Sequence, residues 1–195
     1  MVIKDAKHAL VVGGTGMLRG AVLALAESGW SVTVMARSQR RLHQLVEEVQ
    51  QRGYKGAIHP VVTDYTLEKE WLEDCERAKE AYGLFQCVIA WIHGPAVHAP
   101  LQLARWLEQS ESPSQFYHVI GSSGADPTVD QVGRRAPFQK LQRVSYHEVV
   151  LGFIDEGSYS RWLTHEEISS GVLHALETSE KQVIVGSVRP WTKRP

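Results

Sequence analysis

The chain has 195 residues and a net charge of −1, from 21 basic and 22 acidic side chains, and it contains no long basic stripe. This balance makes nucleic acid and anionic membrane poor partners, because both are bound through clustered positive charge. Cys75 and Cys87 form no CxxC pair, and no apolar run approaches the roughly 20 residues of a membrane span, so we expect a cytoplasmic protein with reduced thiols. A chain of this length can bury a sizeable core, and we predict one domain over residues 1–195.

The first predicted unit is a strand, a tight turn and a helix. A strand-like run over residues 8–13 leads into three spaced glycines, Gly13, Gly16 and Gly20, and a helical pattern spans residues 17–28. Glycine permits positive φ angles and lets the backbone approach phosphate without a Cβ in the way. The free N–H groups at the helix start then face the anion. This pattern is typical of a turn that holds a dinucleotide pyrophosphate, with a purely structural turn as the alternative.

The remaining elements alternate between strands and helices almost to the end of the chain. The pattern predicts strands over residues 31–36, 57–62, 84–92, 116–121, 145–153 and 182–188. It predicts helices from Ser38 to near Gly53, over residues 66–82 and 100–109, and after the capping box of Thr164 and Glu167. The run over residues 84–92 is the most apolar, as a central parallel strand should be. The sequence therefore predicts an α/β fold with a doubly wound, mostly parallel seven-stranded sheet of Rossmann type.

The end of the second strand predicts which nicotinamide cofactor is bound. In this fold a residue about 20 positions after the glycine turn meets the adenosine ribose, and an acid there favours the free 2′-hydroxyl of NAD. Here Arg37 and Ser38 stand at that place, and no acid does. A guanidinium can pair bidentately with a 2′-phosphate, with Arg41 or Arg19 assisting. The sequence favours NADP(H) over NAD(H), and the alternative is a solvated arginine at a helix start.

These features together resemble the short-chain dehydrogenase/reductase superfamily over nearly the whole chain. The matching pieces are the turn of residues 13–20, Arg37, the pair Thr63 and Asp64, the pair Ser122 and Ser123, and the pair Gly152 and Phe153. The resemblance implies an NADP(H)-dependent oxidoreductase that transfers a hydride to or from a small carbonyl or alcohol substrate. It implies that the cofactor is held by Gly13, Gly14, Thr15, Gly16, Met17, Leu18, Arg37, Ser38, Asp64, Tyr65, Ala90, Trp91, Gly94, Ser122 and Gly152.

The sequence departs from that superfamily at the catalytic motif. Its reductases use Tyr-x-x-x-Lys on the helix after the fifth strand, where the lysine lowers the tyrosine pKa and the tyrosine exchanges a proton with the substrate oxygen. The only literal match, from Tyr65 to Lys69, precedes the fourth strand and is a coincidence of spacing. Tyr146 has no lysine four positions later and falls in a predicted strand. We expect an irregular loop over residues 125–135 and a shortened helix over residues 138–144.

Three functions stay open at this point. A reductase could exchange its proton with water or with His93, Ser123 or Tyr146, which are expected near the carboxyl ends of central strands. Each has a simpler alternative: His93 as a loop histidine, Ser123 as a turn cap and Tyr146 as a packed strand tyrosine. A protein that binds NADP(H) as a sensor or regulator, without catalysis, is the second function, and a scaffold for protein interaction is the third. No metal site is predicted, the substrate is not defined, and a homo-oligomer is possible.

Overall fold

A computed structural model describes residues 7–92, 94, 96–126, 128 and 130–195. The strands are β1 (His8–Val12), β2 (Ser31–Ala36), β3 (Ala57–Val62), β4 (Cys87–Trp91), β5 (Ser114–Ile120), β6 (Val144–Leu151), β7 (Phe153–Asp155), β8 (Ser160–Trp162) and β9 (Gln182–Val185). The helices are α1 (Arg19–Glu27), α2 (Gln39–Gln51), α3 (Glu68–Tyr82), α4 (Ala99–Glu108), α5 (Gln131–Gln139) and α6 (His165–Thr178). Two short 3₁₀ turns lie at Ser122–Ala125 and Trp191–Lys193.

Seven strands form one parallel sheet in the order β3-β2-β1-β4-β5-β6-β9. The chain builds outward from β1 to β3, then crosses back and continues on the other side of β1 with β4. This reversal is the topological switch point, where open α/β sheets bind ligands beyond the carboxyl ends of their strands. The predicted doubly wound, seven-stranded α/β fold is therefore confirmed.

Helices cover both faces of the sheet and bury two apolar clusters against it. One cluster includes Leu25 of α1, Leu42 of α2 and Ile168 of α6. The other includes Trp71 of α3 and Leu103 of α4, together with Phe138 of α5. Strand β4 is apolar throughout because it contacts both layers, as its sequence predicts. None of the helices in the described ranges has the length and apolarity that a membrane crossing requires.

The start of α6 confirms the predicted capping box. The Thr164 hydroxyl accepts a hydrogen bond from the Glu167 backbone N–H at 3.2 Å, and the Glu167 carboxylate accepts one from the Thr164 N–H at 2.8 Å. Two backbone donors that the helix leaves without partners are thereby satisfied. Arg161 also donates to this carboxylate, and its hydrogen bonds lower the pKa of Glu167 to about 2.

The prediction of a loop over residues 125–135 and a short helix over residues 138–144 is wrong. The helix in this region is α5, which spans Gln131–Gln139, and Val144 already begins β6. Gly133 and Pro137 lie inside α5 and made the segment resemble a loop. Tertiary contacts and a cap override this weak propensity: the Asp130 side chain accepts from the Gly133 N–H at 2.8 Å, and Phe138 is buried.

The predicted strand over residues 145–153 is two elements rather than one. Strand β6 ends at Leu151, and Phe153 begins a short antiparallel hairpin of β7 and β8 that the sequence pattern did not predict. Gly152 makes this break possible, because a Cβ at that position would lie 2.1 Å from the Ser187 carbonyl oxygen. The requirement for glycine thus comes from the close approach of the segment after β9.

Candidate functional site

A cleft of about 290 Å³ lies at the carboxyl ends of β1, β2, β3 and β4, at the switch point of the sheet. Seven of the predicted cofactor residues line it: Gly13, Thr15, Gly16, Arg37, Ser38, Tyr65 and Trp91. The remaining lining residues are Val12, Met35, Ala36, Arg41 and Thr63. Val12, Met35 and Ala36 were not predicted, although they lie at the carboxyl ends of predicted strands and this position alone could have indicated them.

The glycine turn has the geometry that a pyrophosphate needs. Gly13 has a φ of +81°, and a Cβ there would lie 3.0 Å from the Trp91 carbonyl oxygen. A Cβ at Gly16 would meet no atom within 4 Å, so the backbone there is open to the cleft. The first glycine therefore sets the path of the chain, and the second leaves space for a ligand at the start of α1.

The end of β2 presents two guanidinium groups and a hydroxyl to the cleft. Ser38 caps α2, and its hydroxyl accepts from the Arg41 N–H at 3.4 Å. Arg37 and Arg41 are exposed, and no carboxylate of the described residues lies within 4 Å of either guanidinium. Arg19 differs, because it pairs with Glu48 and its charge is already matched. Arg41 is thus better placed than Arg19 to assist Arg37.

The turn after β3 places one of two neighbouring predicted residues in the cleft. The Asp64 carboxylate accepts hydrogen bonds from the Thr66 N–H at 2.9 Å and from the Thr66 hydroxyl at 2.8 Å, and these bonds lower the pKa of Asp64. Asp64 therefore holds a turn of the backbone. Tyr65, beside it, lines the cleft.

Other predicted cofactor residues do not line the cleft. Leu18 and Ala90 are fully buried in the core, and a Cβ at Gly14 would lie 2.8 Å from the Val34 side chain. Only the backbone of these three residues is available to a ligand. The Met17 carbonyl accepts from Ser169 at 2.9 Å, which ties the glycine turn to α6. Gly94 is an exposed turn residue, with a φ of +77°.

The two described catalytic candidates, Ser123 and Tyr146, are not brought together. His93 lies outside the described residues. Ser123 is exposed in the 3₁₀ turn after β5, whereas Ser122 is 5% exposed and its hydroxyl accepts from the Arg194 Nε–H at 2.7 Å. Tyr146 is buried near the start of β6, and it does not line the cleft.

A polar network in the interior accounts for the position of Tyr146. Its hydroxyl lies 2.9 Å from the His118 Nδ1 and donates to the Glu148 carboxylate at 3.2 Å. Burial raises the pKa of Tyr146, and burial also lowers the pKa of His118 to about 4. Both groups are therefore neutral near pH 7, and the hydroxyl is unsuited to release a proton.

Glu148 is the centre of this network and was not predicted from the sequence. It is 1% exposed and accepts from Arg134 at 3.2 Å, from Arg135 at 2.6 Å and from Gln182 at 3.2 Å. Arg134 also donates to the Gly124 carbonyl at 2.9 Å, so the network holds the 3₁₀ turn. The sequence signal was a charged residue inside an apolar strand, preceded by two adjacent arginines.

Both cysteines are buried, and no described cluster suits a metal. Burial raises the pKa of Cys87 to about 12, and the pKa of Cys75 is also raised by burial. Thiols with raised pKa values are poor nucleophiles. Within the described ranges, His, Cys, Asp and Glu side chains form no group of three that could hold a metal ion.

Comparisons with known proteins agree with this geometry. The family model for short chain dehydrogenase matches residues 7–97. The fold is similar to the bulky-bulky ketone specific alcohol dehydrogenase from Comamonas testosteroni, with a TM-score of 0.71, 16% identity and coverage of 96% of this chain and 89% of that one. No curated protein sequence matches the chain.

Two further structures with this fold contain a nicotinamide cofactor or its derivative. The actinorhodin polyketide ketoreductase with NADPH has a TM-score of 0.70 and 14% identity, with coverage of 95% of this chain and 98% of that one. The alcohol dehydrogenase from the archaeon Thermococcus sibiricus, complexed with 5-hydroxy-NADP, has a TM-score of 0.68 and 17% identity, with coverage of 98% and 99%. Residues 7–97 thus match the short chain dehydrogenase family model, and nearly the whole chain shares its fold with these solved structures.

Proposed function

We propose that this protein binds NADP(H) in the cleft at the switch point and transfers a hydride to or from a small carbonyl or alcohol substrate. The observation that carries the proposal is the charge at the end of β2. Arg37, Arg41 and Ser38 line the cleft, and no acidic side chain is among the described residues that do. Two guanidinium groups and a hydroxyl suit a phosphate dianion, whereas the free ribose hydroxyls of NAD favour a carboxylate. The NADPH and 5-hydroxy-NADP in the two related structures support the same cofactor class.

Different residues of the cleft would bind different parts of the cofactor. The open backbone at Gly16 and the N-terminus of α1 would hold the diphosphate, and Arg37 with Arg41 would hold the 2′-phosphate. The Trp91 ring extends from the glycine turn towards the end of β5: its Cδ1 lies 3.5 Å from the Cβ position of Gly13, and its Cη2 lies 3.8 Å from that of Gly121. Trp91 would thus form the floor on which the cofactor passes towards the turn that begins with Ser122.

The reaction would be that of a carbonyl, NADPH and a proton giving an alcohol and NADP⁺. The cofactor supplies the hydride, and the protein must orient the carbonyl and allow a proton to reach its oxygen. Tyr146 is unsuited to this role because its hydroxyl is buried and engaged by His118 and Glu148. The proton source would be water, the exposed Ser123 or His93.

The second candidate function is NADP(H) binding without catalysis. One observation favours it: the tyrosine that follows Ser123 lies in the interior rather than on a helix at the cleft. A sensor of this type would keep the cleft and bind both redox forms of the cofactor, and it would turn over no substrate.

The test is a fluorescence titration with NADPH and NADH, performed on the unmodified protein, Arg37→Glu and Arg40→Glu. Arg40 is the matched control because it is exposed beside Arg37 but does not line the cleft. We expect NADPH to bind more tightly than NADH, and Arg37→Glu to weaken NADPH binding by about 10- to 100-fold, the effect of losing one charge-assisted contact. Arg40→Glu should bind normally.

Equal affinities for the two cofactors, or equal losses in both variants, would contradict the assignment of Arg37. If neither cofactor binds, both proposed functions fail together. If NADPH binds, a screen of small aldehydes and ketones for NADPH oxidation distinguishes an enzyme from a sensor.

A further inference from the structure

We propose that Arg194 binds the carboxylate of the substrate, so that the preferred substrate is a small oxo acid or the corresponding hydroxy acid. This inference rests on the proposed function and adds the substrate class to it. The observation that supports it is a cluster of side chains outside the cleft, in which Arg194 contacts Ser122, Trp162 and Trp191.

The guanidinium of Arg194 is held in a fixed orientation. Its Nε–H donates to the buried Ser122 hydroxyl at 2.7 Å. Its central carbon lies 5.2 Å from the centroid of the Trp162 ring and 5.3 Å from that of the Trp191 ring. Contacts with two indoles and one hydroxyl restrict the side chain before any ligand arrives, which reduces the entropy cost of binding.

The two terminal nitrogens of Arg194 have no hydrogen-bond acceptor among the described residues, and no carboxylate there lies within 4 Å of them. Hydrogen bonds from Thr128 lower the pKa of Asp126, and Arg194 contributes to this shift from beyond ion-pair distance. Nearby cations of the same surface are matched: Arg161 pairs with Glu156 and Glu167, and Lys193 pairs with Asp155 at 2.7 Å. Arg194 thus presents a planar pair of N–H donors with the geometry of a carboxylate.

The position of the cluster fits a substrate rather than the cofactor. Ser122 follows Gly121 at the end of β5, next to β4, whose Trp91 lines the nucleotide cleft. Trp91 also lies beside Gly121, at 3.8 Å from its Cβ position. A small molecule between the cleft and Arg194 would have its reactive end near the cofactor and its anionic end on the guanidinium.

The experiment measures binding of acids and of their neutral esters in the presence of saturating NADP⁺. Pyruvate, 2-oxobutyrate and acetoacetate are each titrated beside the ethyl ester, and intrinsic tryptophan fluorescence reports binding because two indoles contact Arg194. The variants are Arg194→Gln, Arg194→Lys and, as a matched control in the same segment, Arg189→Gln. Circular dichroism and thermal unfolding check the fold of each.

We expect at least one acid to bind more tightly than its ester. Arg194→Gln should weaken binding of that acid by about tenfold or more and leave the ester unchanged, as expected for loss of a bidentate ion pair. Arg194→Lys should keep part of the affinity of the unmodified protein for that acid, and Arg189→Gln should keep all of it. In any turnover assay, Arg194→Gln should raise KM for the acid more than it lowers kcat.

The inference is overturned if no acid binds more tightly than its ester, or if Arg194→Gln binds the acid as the unmodified protein does. Titration with NADPH separates this result from failure of the proposed function. A protein that binds NADPH normally but does not distinguish acids from esters keeps the proposed function and loses only the assignment of Arg194.

Discussion

Replacement of Glu148 by glutamine should destabilise the protein strongly, although it changes few atoms. The carboxylate is 1% exposed and accepts from Arg134, Arg135, Tyr146 and Gln182. Each of its two oxygens receives at least two donors, so a glutamine amide would direct an NH₂ group at donors in either orientation. The substitution also leaves two guanidinium groups without their anion.

The magnitude follows from the burial of the partners. Removing one member of a buried ion pair costs about 3–5 kcal/mol, because the remaining charge is uncompensated. The Arg134 and Arg135 side chains remain 23% and 28% exposed, so water can solvate them in part. We therefore expect a loss near the lower limit, about 3 kcal/mol of the free energy of unfolding. For a chain of this length that corresponds to a fall in Tm of about 6–12 °C.

Urea unfolding followed by circular dichroism measures this loss, with Glu70→Gln on the exposed face of α3 as the control. The double variant Glu148→Gln with Arg135→Gln should be less destabilised than the sum of its single variants, since it removes one of the orphaned charges. A loss below about 1 kcal/mol in Glu148→Gln, or strict additivity in the double variant, would refute the view that the buried carboxylate neutralises the arginines.

Three further predictions concern other parts of the molecule. Burial lowers the pKa of His118 to about 4, against about 6.5 for an unperturbed histidine, and so keeps this imidazole neutral in the fold. The unfolded chain takes up a proton first, so the free energy of unfolding should fall by roughly 3 kcal/mol as the pH drops from 6.5 to 4. Urea unfolding across this range should show a smaller fall in His118→Gln. Gly13→Ala should destabilise the protein by about 1–2 kcal/mol because of its positive φ and its contact with Trp91, whereas Gly16→Ala should unfold normally and bind NADPH more weakly. Thr164→Ala should cost about 1 kcal/mol in thermal unfolding through loss of the α6 cap, and an unchanged Tm would show that the cap does not contribute.

The part of the site nearest the glycine turn could be predicted because its signals are contiguous in the sequence. Gly13, Gly16, Arg37 and Ser38 each follow a strong strand, and the fold aligns the carboxyl ends of these strands without further information. Their roles depend on backbone conformation and on charge, and both can be inferred directly from the residue types.

The other half of the site depends on contacts between distant residues. Arg194 meets Ser122 across 72 positions, and Ser169 meets Met17 across 152. No periodicity or local motif indicates such contacts. Helix α5 was missed for a related reason, since Gly133 and Pro137 lower its propensity and its stability comes from partners on other elements.

The two halves also differ in how they use charge, and this difference bears on the reaction. At the end of β2, the cations that line the cleft are unpaired within the described part of the chain and open to solvent, which suits recognition of phosphate. Glu148 of β6 accepts from Arg134 and Arg135 in a largely buried network, and Arg134 also holds the 3₁₀ turn of Ser122 through the Gly124 carbonyl. Arg194 is the exception on this side: it lies at the surface against the same turn, and two of its nitrogens have no hydrogen-bond acceptor in the described part of the chain. Because a substrate must be held at the end away from the cofactor, and because Tyr146 is fixed in the interior, the orientation of the substrate would depend on this arginine more than on a catalytic tyrosine.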